Sequence, residues 1–301
     1  MWKPEGAIAA AVTPSRPDTF QMDMGASLEL IDFLCSHGAG AITVFGPNGE
    51  FPHFPVEDRI RLAHLAIKRS RAPVIVNATC SNLDDAVAIT DHAGSNGAAA
   101  IFIQPPFYYH YEPPEIREFF LRYSEEVNVE IPVLLYHSPV FHNSIPWEVA
   151  SELLTRGIVA GIKDSSGDWE YFERLLAIRG AAPFLLFAGN ESVLLRARRA
   201  GADAFVSSCA CAVPELFAAL EEAIRKGDNE QTGRLETLQN EFLSRVADFP
   251  GPMGIKEALE ARGLKMGKRA IPFAPETRRR AEVFRDWFQI WLPNMLKAAG
   301  G

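Results

Sequence analysis

Two hydrophobic patterns alternate along the chain. Short, nearly continuous apolar runs recur over most of its length, and longer stretches between them return to apolar residues every three or four positions. The runs are "GAIAAAVTP" (6–14), "GAITVFG" (40–46), "PVIVNAT" (73–79), "AAAIFIQPP" (98–106), "IPVLLYHSP" (131–139), "IVAGIKDSS" (158–166), "PFLLFAG" (183–189) and "DAFVSS" (203–208). Runs apolar on both faces predict strands covered on both sides, the condition of a parallel sheet. The stretches between, such as "VEDRIRLAHLAIKRS" and "PEIREFFLRYSEEV", have helical spacing. Three junctions share one form, a helix end, a glycine and a strand: "CSHGAGAITVFG", "GSNGAAAIFIQPP" and "ARRAGADAFVSS". Their Gly38, Gly97 and Gly201 fit the left-handed position that closes a helix.

Eight strand–helix units predict a closed (β/α)8 TIM barrel of the α/β class. An open doubly wound sheet is the competitor, but the chain carries no dinucleotide-binding fingerprint. From about residue 228 the pattern is helical only, with an interruption at "DFPGPMG" (248–254). The expected organisation is a barrel over 1–227 and a C-terminal helical extension over 228–301 packed on it.

Composition narrows the function classes. With 301 residues, 48% of them hydrophobic, the chain has ample material for a large core. A formal net charge of −8 argues against nucleic acid or an anionic membrane as partner. No apolar run is long enough to span a bilayer, and the N-terminal "MWKPEGAIAAAVTPSRPD" reads as a first strand rather than a signal peptide. Cys35, Cys80, Cys209 and Cys211 read as reduced structural thiols, which places the protein in the cytoplasm. "SCAC" has one residue between its thiols, and the histidines show no paired ligand spacing, so a metal site is disfavoured. Neither "AGNES" nor "SSCACAVP" has the glycine-rich form of a phosphate cradle, which favours a non-phosphorylated substrate.

In such a barrel, chemistry gathers at the C-terminal ends of the strands. Here those ends read "FGPNGEF", "QPPFYYHYEPP", "LLYHSPVFHN", "IKDSSGD", "AGNES" and "SSCACAVP". "GIKDSSGD" sets Lys163 at the end of an apolar strand. Lysine is almost never fully buried without a partner. Desolvated in a pocket, it gives up its proton more easily and becomes a nucleophile. Each element alone has an ordinary reading: a solvated lysine, a core tyrosine, a tight turn. Lys163, Tyr136 and Tyr108 at strand ends facing one mouth predict something more specific, an amine that condenses with a ketone and hydroxyls that move protons.

With these residues in view, the chain resembles the dihydrodipicolinate synthase / N-acetylneuraminate lyase family of pyruvate-dependent class I aldolases. "GPNGEF", "PPFYY", "LLYHSP", "GIKDSSGD" and "GIKEALEARG" (254–263) carry the resemblance, and "NGEF" is similar to the 4-hydroxy-2-oxoglutarate aldolase branch. The resemblance implies that Lys163 forms a Schiff base with a 2-oxo acid, usually pyruvate, with no other cofactor. It implies Tyr136 as general acid/base and the turn at Pro47, Asn48 and Gly49 as the holder of the keto acid's carboxylate. Tyr108 would stand at a tight-dimer interface within a homotetramer. Ser165, Gly189, Asn190 and Ser207 complete the expected substrate-binding set.

Three departures qualify that expectation. Dihydrodipicolinate synthases carry an arginine where this chain has Phe141, so a carboxylate fork has become an apolar ring. Pro47 replaces a hydroxyl residue and offers neither hydroxyl nor N–H. His137 stands where asparagine is usual. Phe141, His142 and Asn143 are then expected to line a second-substrate pocket for an aryl or hydroxylated aldehyde. The leading expectation is a lyase acting on pyruvate or a related 2-oxo acid. The alternatives are a dihydrodipicolinate synthase with an altered second site and a non-catalytic keto-acid-binding barrel.

Overall fold

The computed structural model describes residues 2–300. Eight strands follow one another in chain order round a closed barrel: β1 (Ile8–Ala10), β2 (Ala41–Val44), β3 (Val74–Asn77), β4 (Ala100–Ile103), β5 (Val133–His137), β6 (Gly161–Asp164), β7 (Leu185–Ala188) and β8 (Ala204–Ser207). Neighbouring strands run parallel. The fold is the expected (β/α)8 barrel.

The strands are shorter than the apolar runs that announce them. Pro14, Pro105, Pro106, Pro132 and Pro139 lie in the flanks of those runs and have no N–H for a ladder. Single ladder bonds continue past the strand ends, as from Ala11 N–H to Thr43 O (2.9 Å) and from Ser165 N–H to His137 O (2.8 Å).

Helices separate the strands: α1 (Met24–Ser36), α2 (Val56–Arg69), α3 (Leu83–Ser95), α4 (Pro113–Glu126), α5 (Trp147–Thr155), α6 (Trp169–Ile178) and α7 (Leu194–Arg199). Asp23, Asn82 and Asp168 cap α1, α3 and α6 by accepting backbone N–H groups of their first turns. The three sequence-marked glycines do close helices, with φ of +91°, +94° and +107° at Gly38, Gly97 and Gly201. After β8 come α8 (Cys209–Ala212), α9 (Pro214–Lys226), α10 (Asn229–Val246), α11 (Met253–Ala261) and α12 (Pro275–Ala298). Among the described residues, no helix is long and apolar enough to cross a membrane.

By the density of its contacts the chain divides into two units. The first holds residues up to Glu5, Arg59–Lys68 and Pro73–Val206, and so contains β3 to β7 and nearly all of β8. Its core is built from apolar residues on both faces of those strands, among them Ile75 and Phe187 on one face and Ile101 and Leu135 on the other, all fully buried. The second holds Gly6–Asp58, Arg69–Ala72 and Ser207 onward. There Phe242 of α10 stacks on Trp291 of α12, with ring centroids 5.4 Å apart, and Phe284 and Phe288 extend the cluster. That aromatic seam is the core of the C-terminal helices.

One glycine in the first unit is fixed by the sheet itself. A Cβ at Gly161, the first residue of β6, would lie 2.2 Å from the backbone oxygen of Leu185 on β7. A carbonyl cannot rotate away as a side chain can, so the strands would have to part. Gly161→Ala is expected to lower stability by roughly 3 kcal/mol or more, read as a fall in the denaturant midpoint. An unchanged midpoint would show that the β6–β7 spacing is not set by this contact.

Candidate active site

β5 and β6 pair with Tyr136 opposite Lys163 and His137 opposite Asp164. Successive side chains of a strand point to opposite faces, so the first pair occupies one face of the sheet and the second pair the other. All four are buried.

On the first face, Lys163 is only 5% exposed. Its Nζ lies over the Tyr136 ring, 3.5 Å from the centroid, and 5.7 Å from the centroid of Phe102. Phe187, its register partner on β7, meets Phe102 edge-on at 6.1 Å. Among the described residues, no carboxylate pairs with this amine and no acceptor takes a hydrogen bond from it. A cation over an aromatic face gains about 0.5–2 kcal/mol. That attraction holds the amine in place without neutralising it or occupying its nitrogen.

The neighbouring strand end is shaped to admit the lysine. A Cβ at Gly189 would fall 2.5 Å from Lys163 Cε and 2.2 Å from Ser165 Oγ, so glycine is the residue that leaves room for the lysine stem. Gly189 N–H is anchored to Asp164 O (2.7 Å). The Ser165 hydroxyl is buried and has no hydrogen-bond partner among the described residues, a costly state that a ligand group would relieve. Asn190 turns inward on its own loop, its Oδ1 accepting from Ser192 N–H (3.1 Å) and Ser192 Oγ (2.7 Å).

The opposite face carries a second buried polar group. His137 Nδ1 accepts from Ile145 N–H (3.2 Å), which leaves its proton on Nε2 when the ring is neutral, and the ring stacks on Tyr171 with centroids 4.4 Å apart. Asp164 accepts from Ser166 N–H (3.1 Å). Burial pulls the His137 imidazole down to about 4. Burial likewise raises the Asp164 carboxyl to about 6, against the hydrogen bonds from Ser166.

The loops after β4 and β5 diverge in character. Tyr108 has φ of +81° and is 89% exposed, edge-on to Tyr109 at 5.1 Å. Val140 and Phe141 are also exposed. The Asn143 amide is committed to holding the β4 loop: it donates to Pro106 O (2.7 Å) and Tyr109 O (2.9 Å), and accepts from Tyr111 N–H (3.1 Å). His142 is partly buried against the edge of Phe107, and burial, then the charge of Lys163, lowers its imidazole to about 4.

In the second unit, "GPNGE" folds into a single 3-10 turn over Pro47–Gly49, followed by Glu50 in the left-handed region (φ +50°). Gly49 N–H bonds to Gly46 O (2.8 Å) and Glu50 N–H to Pro47 O (3.0 Å). Pro47 has no N–H, which leaves Asn48 as the one residue of the turn with an uncommitted backbone donor. Two contacts tie the turn to the end of the first strand and the segment after it: Asn48 Nδ2 donates to Ala10 O (3.1 Å) and Thr13 Oγ to Gly49 O (2.8 Å). Ser207, fully buried, accepts from Ala210 N–H (3.2 Å).

The sequence profile of the dihydrodipicolinate synthetase family matches residues 3–289 of this chain. The chain belongs to that family. Among its curated relatives is an uncharacterized DapA-like lyase of Chloroflexus aurantiacus, 29% identical over 275 residues, which cover 87% of this chain and 86% of the relative. The fold matches that of a Ruminococcus gnavus sialic acid aldolase catalytic lysine mutant (TM-score 0.87, 21% identity, 97% of this chain and 98% of the other). It also matches YagE of E. coli K12, a dihydrodipicolinic acid synthase family protein in complex with pyruvate (TM-score 0.85, 23% identity, 95% and 98%). As a member of the dihydrodipicolinate synthetase family, the protein is a lyase.

Sequence reasoning missed several residues that shape these elements within their own units. Asp164 and Glu50 sit inside quoted motifs, yet nothing in the motifs says that both are buried. Thr13 gave no signal beyond its place at the end of the first apolar run.

The buried imidazoles make stability depend on acidity. Between pH 6.5 and 4 the unfolded chain protonates His137 and His142 while the folded chain does not, so stability falls as pH falls through that window. Asp164 acts in the opposite sense between 6 and 3.8, where the folded chain keeps a proton that the unfolded one lacks. Two imidazoles against one carboxyl leave a net loss, at about 1.4 kcal/mol per pH unit for each unbalanced proton. His137→Asn keeps an acceptor for Ile145 N–H and removes one imidazole. Its denaturant midpoint is expected to drop less than the wild type's between pH 7 and 4.5. Parallel profiles would mean that His137 takes up its proton equally in both states.

Proposed function

We propose that this lyase works through a lysine imine on pyruvate or a related non-phosphorylated 2-oxo acid. The observation that carries the reading is the Lys163 amine, enclosed over the Tyr136 ring with no carboxylate to hold it. The amine adds to the keto carbon, and the carbinolamine loses its hydroxyl as water to leave the imine. The imine draws electrons from the adjacent carbon, so a proton can leave that carbon to give an enamine. The enamine attacks an aldehyde carbon, and the new alkoxide takes a proton. Water then hydrolyses the imine and returns the free lysine, and cleavage runs the same steps in reverse. Tyr136 is the group that gives and takes the protons. Ser165, with its unpartnered hydroxyl, binds the keto acid beside Lys163. Gly189 supplies space rather than contact, and Asn143 orders the loop. The turn at 47–49 takes the carboxylate, with Asn48 N–H as its donor.

The second substrate is an aldehyde without a carboxylate near its reacting end. Residues 138–146, "SPVFHNSIP", contain no arginine or lysine to bind one. They offer instead an exposed Phe141 and an imidazole that stays neutral at neutral pH. This argues against the synthase reaction that names the family. The exposed Tyr108 and Tyr109 support self-association of the chain through the β4 loop, and four cysteines outside any disulfide support a reducing, cytoplasmic setting.

Borohydride trapping tests the reading. Incubation with pyruvate followed by reduction is expected to add mass to the peptide that contains Lys163, and Lys163→Ala is expected to abolish the adduct. Tyr136→Phe is expected to slow adduct formation by roughly 10²–10⁴-fold. If pyruvate binds Lys163→Ala with unchanged affinity and the wild type forms no adduct, the protein is a keto-acid binder rather than an imine-forming enzyme.

A further inference from the structure

The most deeply buried charge among the described residues lies outside the reaction just described. Lys256 of α11 is completely enclosed, and its Nζ donates to the carboxylate of Glu50, which is itself only 9% exposed. The two residues are 206 positions apart. Burial pulls the ammonium below its usual range, and the Glu50 carboxylate opposes that pull. A buried ion pair is not in itself a source of stability, because desolvating both charges offsets most of their attraction. Two apolar residues would fill the same space at no greater cost. What the pair does hold is Glu50, whose left-handed backbone ends the 47–49 turn and whose carbonyl accepts from His53 N–H (3.0 Å).

We infer that Lys256 is a positioning residue for recognition of the substrate's carboxylate, acting through Glu50. This rests on the reading above, in which the turn binds that carboxylate. The turn has one free backbone donor, at Asn48, to offer an anion, and it ends in a residue that carries negative charge. Unpaired, the Glu50 carboxylate, two residues along the chain from Asn48, would repel the incoming anion in a poorly solvated setting. Lys256 cancels that repulsion and fixes the side chain. The effect is therefore specific to the charge of the ligand. A neutral ketone should not sense it.

Trapping at pH 8 with pyruvate and with its uncharged methyl ester separates these cases. In Lys256→Met, half-maximal trapping is expected to need at least tenfold more pyruvate, with the ester requirement unchanged. Removing the opposing charge as well, in Glu50→Gln/Lys256→Met, is expected to restore most of the pyruvate preference. Lys256→Gln keeps a donor to Glu50 without the charge and carries the same comparison should Lys256→Met not fold. Wild-type affinity for pyruvate in these single variants, or an equal loss for pyruvate and ester, would overturn the inference. Failure of the wild type to trap pyruvate at all would instead overturn the imine reading, so the two outcomes stay distinct.

Discussion

An amine enclosed among aromatic rings, with no carboxylate beside it, is the constraint on which the candidate site depends. Lys163 could have been stabilised far more simply by an ion pair, as Lys256 is. The chain instead rests it on the face of Tyr136 and surrounds it with Phe102 and Phe187. A carboxylate would have kept the nitrogen charged and occupied. Aromatic faces attract the cation yet leave its lone pair usable once the proton departs.

Parallel pairing makes that arrangement possible. The register that sets Tyr136 beside Lys163 also sets His137 beside Asp164 on the other face. The reactive pair and the titratable pair are thus successive residues of the same two strands, separated by the thickness of the sheet. The outer pair is tied into the loops: His137 to Ile145, and Asp164 to Ser166 and, through its carbonyl, to Gly189. Anything that shifts the outer pair also shifts the strands that carry the inner one.

Much of this was legible in the sequence because a sheet buried on both faces writes itself as continuous apolar runs. Eight such runs and three helix-closing glycines suffice for the barrel, and a lysine inside the sixth run stands out because its neighbours are apolar. Strand ends were less legible, since apolar residues continue past the last paired positions into flanks that often contain proline. Tyr108 reads from its motif as a residue of the mouth, but its positive φ and nearly complete exposure are matters of loop geometry that no periodicity encodes. Asn143 looks from sequence like a pocket residue, and only coordinates reveal that its amide is spent on Pro106, Tyr109 and Tyr111. The Glu50–Lys256 pair is out of reach for a different reason. Charge pairing across most of the chain has no local pattern at all.

Gly189 has a consequence for how such a sequence can change over time. Its missing side chain is the space that the Lys163 stem and the Ser165 hydroxyl share, so the three positions are inherited as a coupled set. Any lineage that keeps both the lysine and Ser165 must shift one of those side chains before residue 189 can grow. Once the lysine and the serine are both replaced by something shorter, that coupling lifts and the glycine is free to drift. A larger residue at 189 in a descendant would therefore mark a rearranged Lys163–Ser165 corner, readable from sequence alone even where the rest of the barrel had stayed intact.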